Sequence, residues 1–578
     1  MKKNLFSKFL LKSVLLFSFL ISNSSQVFSQ NELFELSSIE NAGITPQQIS
    51  TLNSFVESKL YFDYQILKVK SLPTVQQNGL LFFKIPNNTK VFKAVADQVE
   101  YQNNKNYSWY GKIGDDQTQT GDIFILQEDS NISGFLKTEK DYYTLFPLGK
   151  EYVALMRNDI NKAEKTVCGL DKAPKENPSN ESINLCAESN NTCPAIIDVL
   201  VLVTSEAKKY LTGQHSNQAY FDTLVTYSLP TSVQVNFALK SAFESVNIAF
   251  KNSDITNKRI RTRFVDFSFN FTTTSNGNFS SKIPDLSADI ANLKIDAKAL
   301  ALKNQFRADI VCLLSNQGYL DGQNNQIFGT IPFAGVGNPS SSNSFAIIET
   351  PFLLGPRYTL AHEIGHIFGA LHSRSGSTGC NIAGDDDHSC GHGFCFFDSG
   401  KGERKTLLAM MPQGGSNRIL HYSNPTVNFN GTATGDSQND NAKVIKNTGC
   451  AVAAFQASPE WSVSILGESD VCVKNSKVSQ CINITQAAPG FLGVAPFKIE
   501  WASSSSGIIN WNNISILSTA TCFDFPIQNT AFFIHARIKS ADNQIITITK
   551  KIDVSNLKDC PSAQGKQSSN VINAATNT

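Results

Sequence analysis

Hydrophobic and polar positions along this chain fall into stretches of different period. Near the N-terminus Lys2, Lys3, Lys8 and Lys12 lead into an apolar run over residues 14–21, followed by Ser and Asn and then Val27, Phe28 and Ser29. That succession of charge, apolar run and small residue is the pattern of an export signal, so residues 1–29 are expected to be cleaved after Ser29. The run is well short of the roughly 20 residues that span a bilayer. Over residues 79–85, 107–113, 121–126, 132–136, 142–146 and 151–155, short β-prone runs are separated by Asn, Asp, Gly and Pro. They predict an antiparallel β domain over residues 30–165. Placed between an export signal and a further folded domain, it reads as a propeptide. Residues 166–193 are polar and Pro-containing, a linker.

The period then changes. Residues 196–203 are unbroken apolar, which predicts a buried strand. Val233, Phe237, Ala238, Phe243, Val246, Ile248 and Ala249 recur at roughly helical spacing and predict a helix over about 231–250. Strands are expected over 260–269, 308–314 and 345–349, with a helix over 286–304 and a closing helix over 439–448. Strands alternating with helices imply an α/β layer over residues 194–452. From 458 to 556 period two returns, in runs at 461–465, 497–501, 514–517, 532–537 and 545–549. These predict an Ig-like β-sandwich. Residues 561–578 are Ser-, Asn- and Ala-rich and are expected to be disordered.

Charge narrows the function. The 578 residues carry 50 basic and 49 acidic groups, a formal net charge of +1. Neither nucleic acid nor an anionic membrane is indicated as a partner. Twelve cysteines without a C-x-x-C pair read as disulfides in an exported chain. Expected pairs are Cys312–Cys450, Cys472–Cys481 and Cys522–Cys560. Cys380, Cys390 and Cys395 form an odd set, and Cys168 could pair with Cys186 or Cys193.

Histidine is scarce, 8 in the chain, yet three lie within residues 362–372. On a helix His362 and His366 share one face and can reach one Zn²⁺. Glu363 lies beside that position, where it can take a proton from water. Gly369 can adopt the left-handed turn that ends the helix and brings back His372. Three protein ligands with a fourth position open describe a catalytic zinc rather than a structural one.

These residues match H-E-x-x-H-x-x-G-x-x-H of the metzincin zinc endopeptidases, and the chain most resembles their adamalysin/reprolysin branch. The resemblance implies a metzincin-type α/β domain with a mixed sheet and a zinc helix. It implies an edge strand, taken as residues 345–349, that pairs with extended substrate. It also implies a methionine turn. Residues 406–412 supply Leu408 or Met410 depending on the overlay, and Met410 is preferred. Residues 165–170 resemble a cysteine-switch segment, which makes Cys168 the candidate fourth zinc ligand of a latent form.

Asp385, Asp386, Asp387 and His388 form an acidic loop. It reads first as solvated, with Ca²⁺ as the alternative occupant. His388 and His392 are not read as zinc ligands. The expected function is a secreted zinc endopeptidase acting on proteins or peptides, with Glu363 as general base. Its C-terminal module is expected to bind substrate or a surface. The alternatives are a zinc hydrolase of another amide or ester, and a non-catalytic zinc-containing adhesion protein.

Overall fold

The computed structural model describes residues 33–555 apart from 70–78, 169–194, 213–230, 277–282, 321–325, 332–338, 375–389, 411–416, 487–496 and other breaks of at most five residues. The expected signal, most of the linker, the Asp385–His388 loop and the C-terminal tail lie outside the described residues. The chain is multidomain, mixed α/β and mostly β. It divides into two compact units, residues 1–300 with 309–455, and residues 301–308 with 456–578. Among the described residues no helix is long and apolar enough to cross a membrane.

The first unit begins with a nine-stranded antiparallel sheet. Its order runs Phe34–Leu36, Tyr61–Val69, Tyr152–Asn158, Tyr142–Gly149, Asn131–Lys137, Gln119–Glu128, Asn106–Gly114, Val91–Asn103, Leu80–Lys84. The six expected strands are present. Strands Tyr61–Val69 and Val91–Asn103 and helix Pro46–Glu57 were not expected. Val91–Asn103 hides because its register shifts twice against Asn106–Gly114, which breaks the period-two signal. Alternation puts Trp109, Phe83 and Ile123 on one face, in a core of the sheet's own. Tyr110, Phe124, Phe135 and Tyr142 on the other face join the core of the following α/β layer.

That layer holds a six-stranded sheet in the order Val167–Cys168, Ile327–Thr330, Phe345–Glu349, Ile310–Ser315, Ala195–Val203, Lys258–Asp266. Neighbours are parallel except Ile327–Thr330 against Phe345–Glu349. Helices Thr231–Asn252, Thr359–Ile367 and Asn441–Val452 accompany it. The helix expected over 286–304 is two, Leu286–Ile295 and Ala297–Phe306. Asp296 is extended, and its carboxylate accepts from the Ala299 amide at 2.8 Å, so it caps the second helix rather than continuing the first.

Two further expectations are corrected. Phe345–Glu349 is not an edge, because it is paired on both sides. The edge of the main sheet is Ile327–Thr330, and the two-residue strand Val167–Cys168 lies along it. The pair Cys312–Cys450 does not form. Cys312 sits fully buried mid-strand and makes no disulfide, while Cys450 is disulfide-bonded elsewhere. Cys390 and Cys395 are both in disulfides.

In the second unit a three-stranded sheet (Trp461–Gly467, Lys477–Gln486, Cys522–Pro526) and a four-stranded sheet (Asp470–Cys472, Ile545–Ser555, Phe532–Lys539, Lys498–Ser504) share a core built on Trp501, Phe525, Phe532 and Ile534. Of the run expected at 514–517, the described residues 515–517 form no strand, and Ser518 bridges to Trp501. Cys481 is bonded to Cys522, directly opposite it on the neighbouring strand. That pairing replaces both Cys472–Cys481 and Cys522–Cys560, because register rather than sequence proximity decides which sulfurs meet.

Candidate metal centre

Helix Thr359–Ile367 carries two of the three histidines. Every residue in it is buried. Tyr358, just before it, adopts left-handed φ 52°, a conformation that costs a non-glycine residue of order 1 kcal/mol. Its ring is held edge-on by Phe135 and Tyr142 of the N-terminal sheet. Beyond the helix Gly369 has φ +91°, the turn that the glycine was expected to make. The chain reverses there and His372 returns to its neighbours.

The three Nε2 atoms form a triangle. His362 and His372 are 3.1 Å apart, His366 and His362 3.1 Å, and His366 and His372 3.0 Å. His362 Nδ1 donates to the Leu407 carbonyl at 2.9 Å, and His366 Nδ1 to Ala370 at 2.8 Å. A carbonyl only accepts, so each Nδ1 carries the proton and each Nε2 turns a lone pair inward. Lone pairs crowded this closely repel unless a cation sits among them. The donor set therefore fits a metal ion, with ligand bonds of roughly 2 Å. Burial holds His362 and His366 well below the usual imidazole range, and neighbouring imidazoles push the same way. For His362 the guanidinium groups of Arg418 and Arg357 add to that push. Both rings are thus kept neutral, the form that binds metal.

Cys168 completes the cluster. Its thiol and the three imidazoles present ligand atoms all within 4.8 Å of one another. It forms no disulfide, so pairing with Cys186 or Cys193 does not occur. The strand along the sheet edge delivers it, since Cys168 lies opposite Gly329. The thiol also donates to Glu363, 3.6 Å from Oε1 and 4.0 Å from Oε2. Glu363 is fully buried, with its carboxylate against the same edge strand. A Cβ on Gly329 would lie 3.0 Å from Glu363 Oε1 and 3.0 Å from the Ile347 carbonyl, so a side chain there would press on the carboxylate.

Met410 lies on the segment beneath the site, but its sulfur is placed 3.8 Å from Arg357 Nη2, and its amide is held by the Ser373 hydroxyl at 3.2 Å. Leu408 is the side chain that packs against Gly365 between the two helical histidines. A Cβ there would meet Leu408 at 2.9 Å and Tyr422 at 2.8 Å. His392 belongs to the support of the site. Fully buried, it donates from Nδ1 to the His372 carbonyl at 2.9 Å. Sequence reasoning also passed over Phe328, whose ring stands edge-on to His362 at 5.2 Å, and over Arg357, stacked 4.1 Å above Phe328.

No family model matches the chain. A peptidyl-Asp metalloendopeptidase of Stenotrophomonas maltophilia (strain R551-3) is 25% identical over 390 residues, covering 63% of this chain and 80% of its own. Another from Xanthomonas campestris pv. campestris is 21% identical over 429 residues, covering 72% and 91%. The chain is related to metallopeptidases. Solved structures overlap weakly. A chain of a chaperone–substrate complex gives a TM-score of 0.31 at 17% identity, over 45% of this chain and 36% of that one. Wild-type OgpA from Akkermansia muciniphila gives 0.19 at 12%, over 68% and 100%. The metallopeptidase relationship accords with a metal among the histidines.

Proposed function

We propose that the protein is a secreted zinc endopeptidase of the metzincin type, made as a latent precursor. One observation carries the reading: the Nε2 atoms of three histidines, the Glu363 carboxylate and the Cys168 thiol converge on one buried point. A binding site alone has no need of a carboxylate beside the ligands. His362, His366 and His372 would hold the zinc, which supplies electrophilic activation of water and of the scissile carbonyl.

The chain's own residues do the rest. Glu363 accepts the proton of the attacking water and passes it to the leaving amine. Ile327–Thr330 offers its outer backbone edge to an extended peptide, in the place taken by Val167–Cys168. Gly329 keeps that strand close to Glu363 without crowding it. Leu407 and Ala370 hold the imidazoles in the binding tautomer.

In this reading residues 1–29 direct export and the β domain over 30–165 is the prodomain. Cys168 occupies the fourth zinc position until processing removes it. The C-terminal module over 458–556 binds substrate or a surface. The relatives' name leads us to propose further that cleavage occurs beside acidic residues. The direct test is Glu363→Gln, compared with the parent after both have been processed by the same added protease. Zinc content by metal analysis should stay at the parent level while cleavage of a denatured protein falls by about 1,000-fold or more. A variant that still cleaves would sink the mechanism.

A further inference from the structure

The endopeptidase reading leaves open which substrate side chains the groove holds away from the metal. We propose that the cavity at the start of the edge strand is a subsite for a basic side chain, Lys or Arg, with Glu349 as its counter-ion. The proposal rests on the endopeptidase reading and deepens it.

Glu349 ends strand Phe345–Glu349 and is 2% exposed. Its carboxylate accepts from the backbone amides of Gln317 at 3.1 Å and Gly318 at 2.9 Å. Burial pushes its pKa up to about 6, while those amides and the Ser315 hydroxyl pull the other way. At neutral pH the group is therefore ionised. Its partners are dipoles, and among the described residues no cation pairs with it. Other buried carboxylates here are matched. Asp198 has Arg261 at 2.5 Å, and Asp398 has Arg404 at 3.1 Å. A buried charge is ordinarily paired or bound to a metal, so Glu349 stands out.

A cavity of about 350 Å³ lies against it, lined also by Tyr210, Asn316, Tyr319, Gln326 and Ile327. It lies beyond the carboxyl ends of the parallel strands Ile310–Ser315 and Phe345–Glu349, the end of such a sheet at which ligands bind. Glu57 and Leu60 form part of its wall, and both belong to the β domain that processing would remove. The charged residues of the lining, Glu57 and Glu349, are acidic. Among the described residues, three or more His, Cys, Asp or Glu ligand atoms gather closely enough to hold an ion only at the histidine centre. An organic cation therefore suits this space better than a metal.

The cavity is also within reach of the scissile bond. Ile327, which lines it, is the first residue of the edge strand and pairs with Val167, while Cys168 pairs with Gly329 beside Glu363. Two residues of strand, roughly 7 Å, separate Ile327 from Gly329. A peptide that replaces Val167–Cys168 brings a side chain to the mouth of the cavity within about three residues of the bond that is cut. Lys or Arg there gives Glu349 a full opposite charge in a buried place, where the attraction is strong. A neutral side chain of the same length leaves it with dipoles alone.

The test uses the processed protein and peptides built on one mapped cleavage sequence, with Lys or Nε-acetyl-lysine at each flanking position in turn. At one position the parent should prefer Lys by about 10-fold or more in kcat/KM, the scale of a hydrogen bond to a charged group. Glu349→Gln should remove that preference by slowing cleavage of the Lys peptide more than that of its acetylated twin. Glu349 also holds a buried turn, so Gln326→Lys, at an exposed position of the lining, gives a second arm. Its own ammonium should occupy the cavity and abolish or reverse the preference, with zinc content and melting temperature at parent levels. A parent indifferent to acetylation at every position overturns the proposal and leaves the endopeptidase reading standing. So does a Lys preference that survives in either variant with the parent's melting temperature. A zinc-loaded parent that cleaves neither peptide nor denatured protein removes the endopeptidase reading, and this proposal with it.

Discussion

Cys168 Sγ lies 3.6 Å from Glu363 Oε1 while sharing one ligand cluster with His362, His366 and His372. A single thiol thus engages both the proposed general base and the proposed ligand set. If it is the latency device, Cys168→Ser in the full-length chain removes the strongest metal-binding atom of the prosegment without disturbing the strand that carries it. Activity of the unprocessed variant on a fluorogenic peptide should rise at least about 10-fold over the unprocessed parent. A variant as silent as the parent would show that the strand alone blocks the groove.

Gly329 offers a test that leaves every proposed ligand intact. Its missing side chain is what lets the edge strand pass Glu363, with the carboxylate oxygen and the Ile347 carbonyl each 3.0 Å from an added Cβ. Gly329→Ala should move Glu363 by a few tenths of an ångström. Misplacement on that scale should cost about 10- to 100-fold in kcat. Zinc content and KM should hardly change. A kcat equal to the parent's would mean that the carboxylate has room to move without consequence.

These residues differ in how visible they are in the sequence. The three histidines and Glu363 could be read because spacing on one helix and one glycine turn places them without reference to any other part of the fold. Gly329 could not. Its strand is four residues long and acquires its place only by pairing with Phe345–Glu349, and Glu363 lies far along the chain. The edge was misassigned for the same reason, since nothing local to residues 345–349 reveals that a later-recognised strand covers them. Leu408 and Met410 could not be separated by alignment because both lie within one turn, and only packing against Gly365 distinguishes them. The disulfide Cys481–Cys522 depends on register between strands 41 residues apart in sequence.

Acid should destabilise the first unit through His421. It is fully enclosed, with Lys112 and Lys137 nearby, and burial followed by those two charges lowers its pKa from the ordinary 6.5 to about 3. Above 6.5 it is neutral whether folded or unfolded, so its contribution is complete. Between 6.5 and 3 the unfolded chain takes a proton that the folded chain refuses, and stability falls by up to about 1.4 kcal/mol per pH unit. His421→Phe should pack against Phe429, which the imidazole already meets edge-on at 5.7 Å. Melting temperatures at pH 7 and 4.5 should show a smaller acid loss in the variant than in the parent, by about 2 kcal/mol. Parallel losses in the two proteins would place the acid sensitivity elsewhere.

Arg418 tests how far the support of the centre extends. Its guanidinium donates to the Thr406 carbonyl at 3.0 Å and to the Leu407 carbonyl, and Leu407 in turn accepts from His362 Nδ1 at 2.9 Å. The arginine therefore fixes an oxygen that fixes an imidazole. Both bonds leave from one guanidinium nitrogen, Nη1, and the shorter lysine side chain does not bring its ammonium to that place, so Arg418→Lys should leave Leu407 less constrained and His362 freer to rotate. The expected result is about 10- to 100-fold weaker zinc binding, the usual loss when the partner of a ligating histidine is disturbed. Competition with a chromogenic chelator measures it. Stability must be followed in parallel, because Arg418 is buried and also lies beneath Lys137, which donates to its carbonyl. A lowered melting temperature with unchanged zinc affinity would assign Arg418 to packing alone. Weakened affinity in protein that still folds would place it in the chain of contacts that sets the metal's ligands.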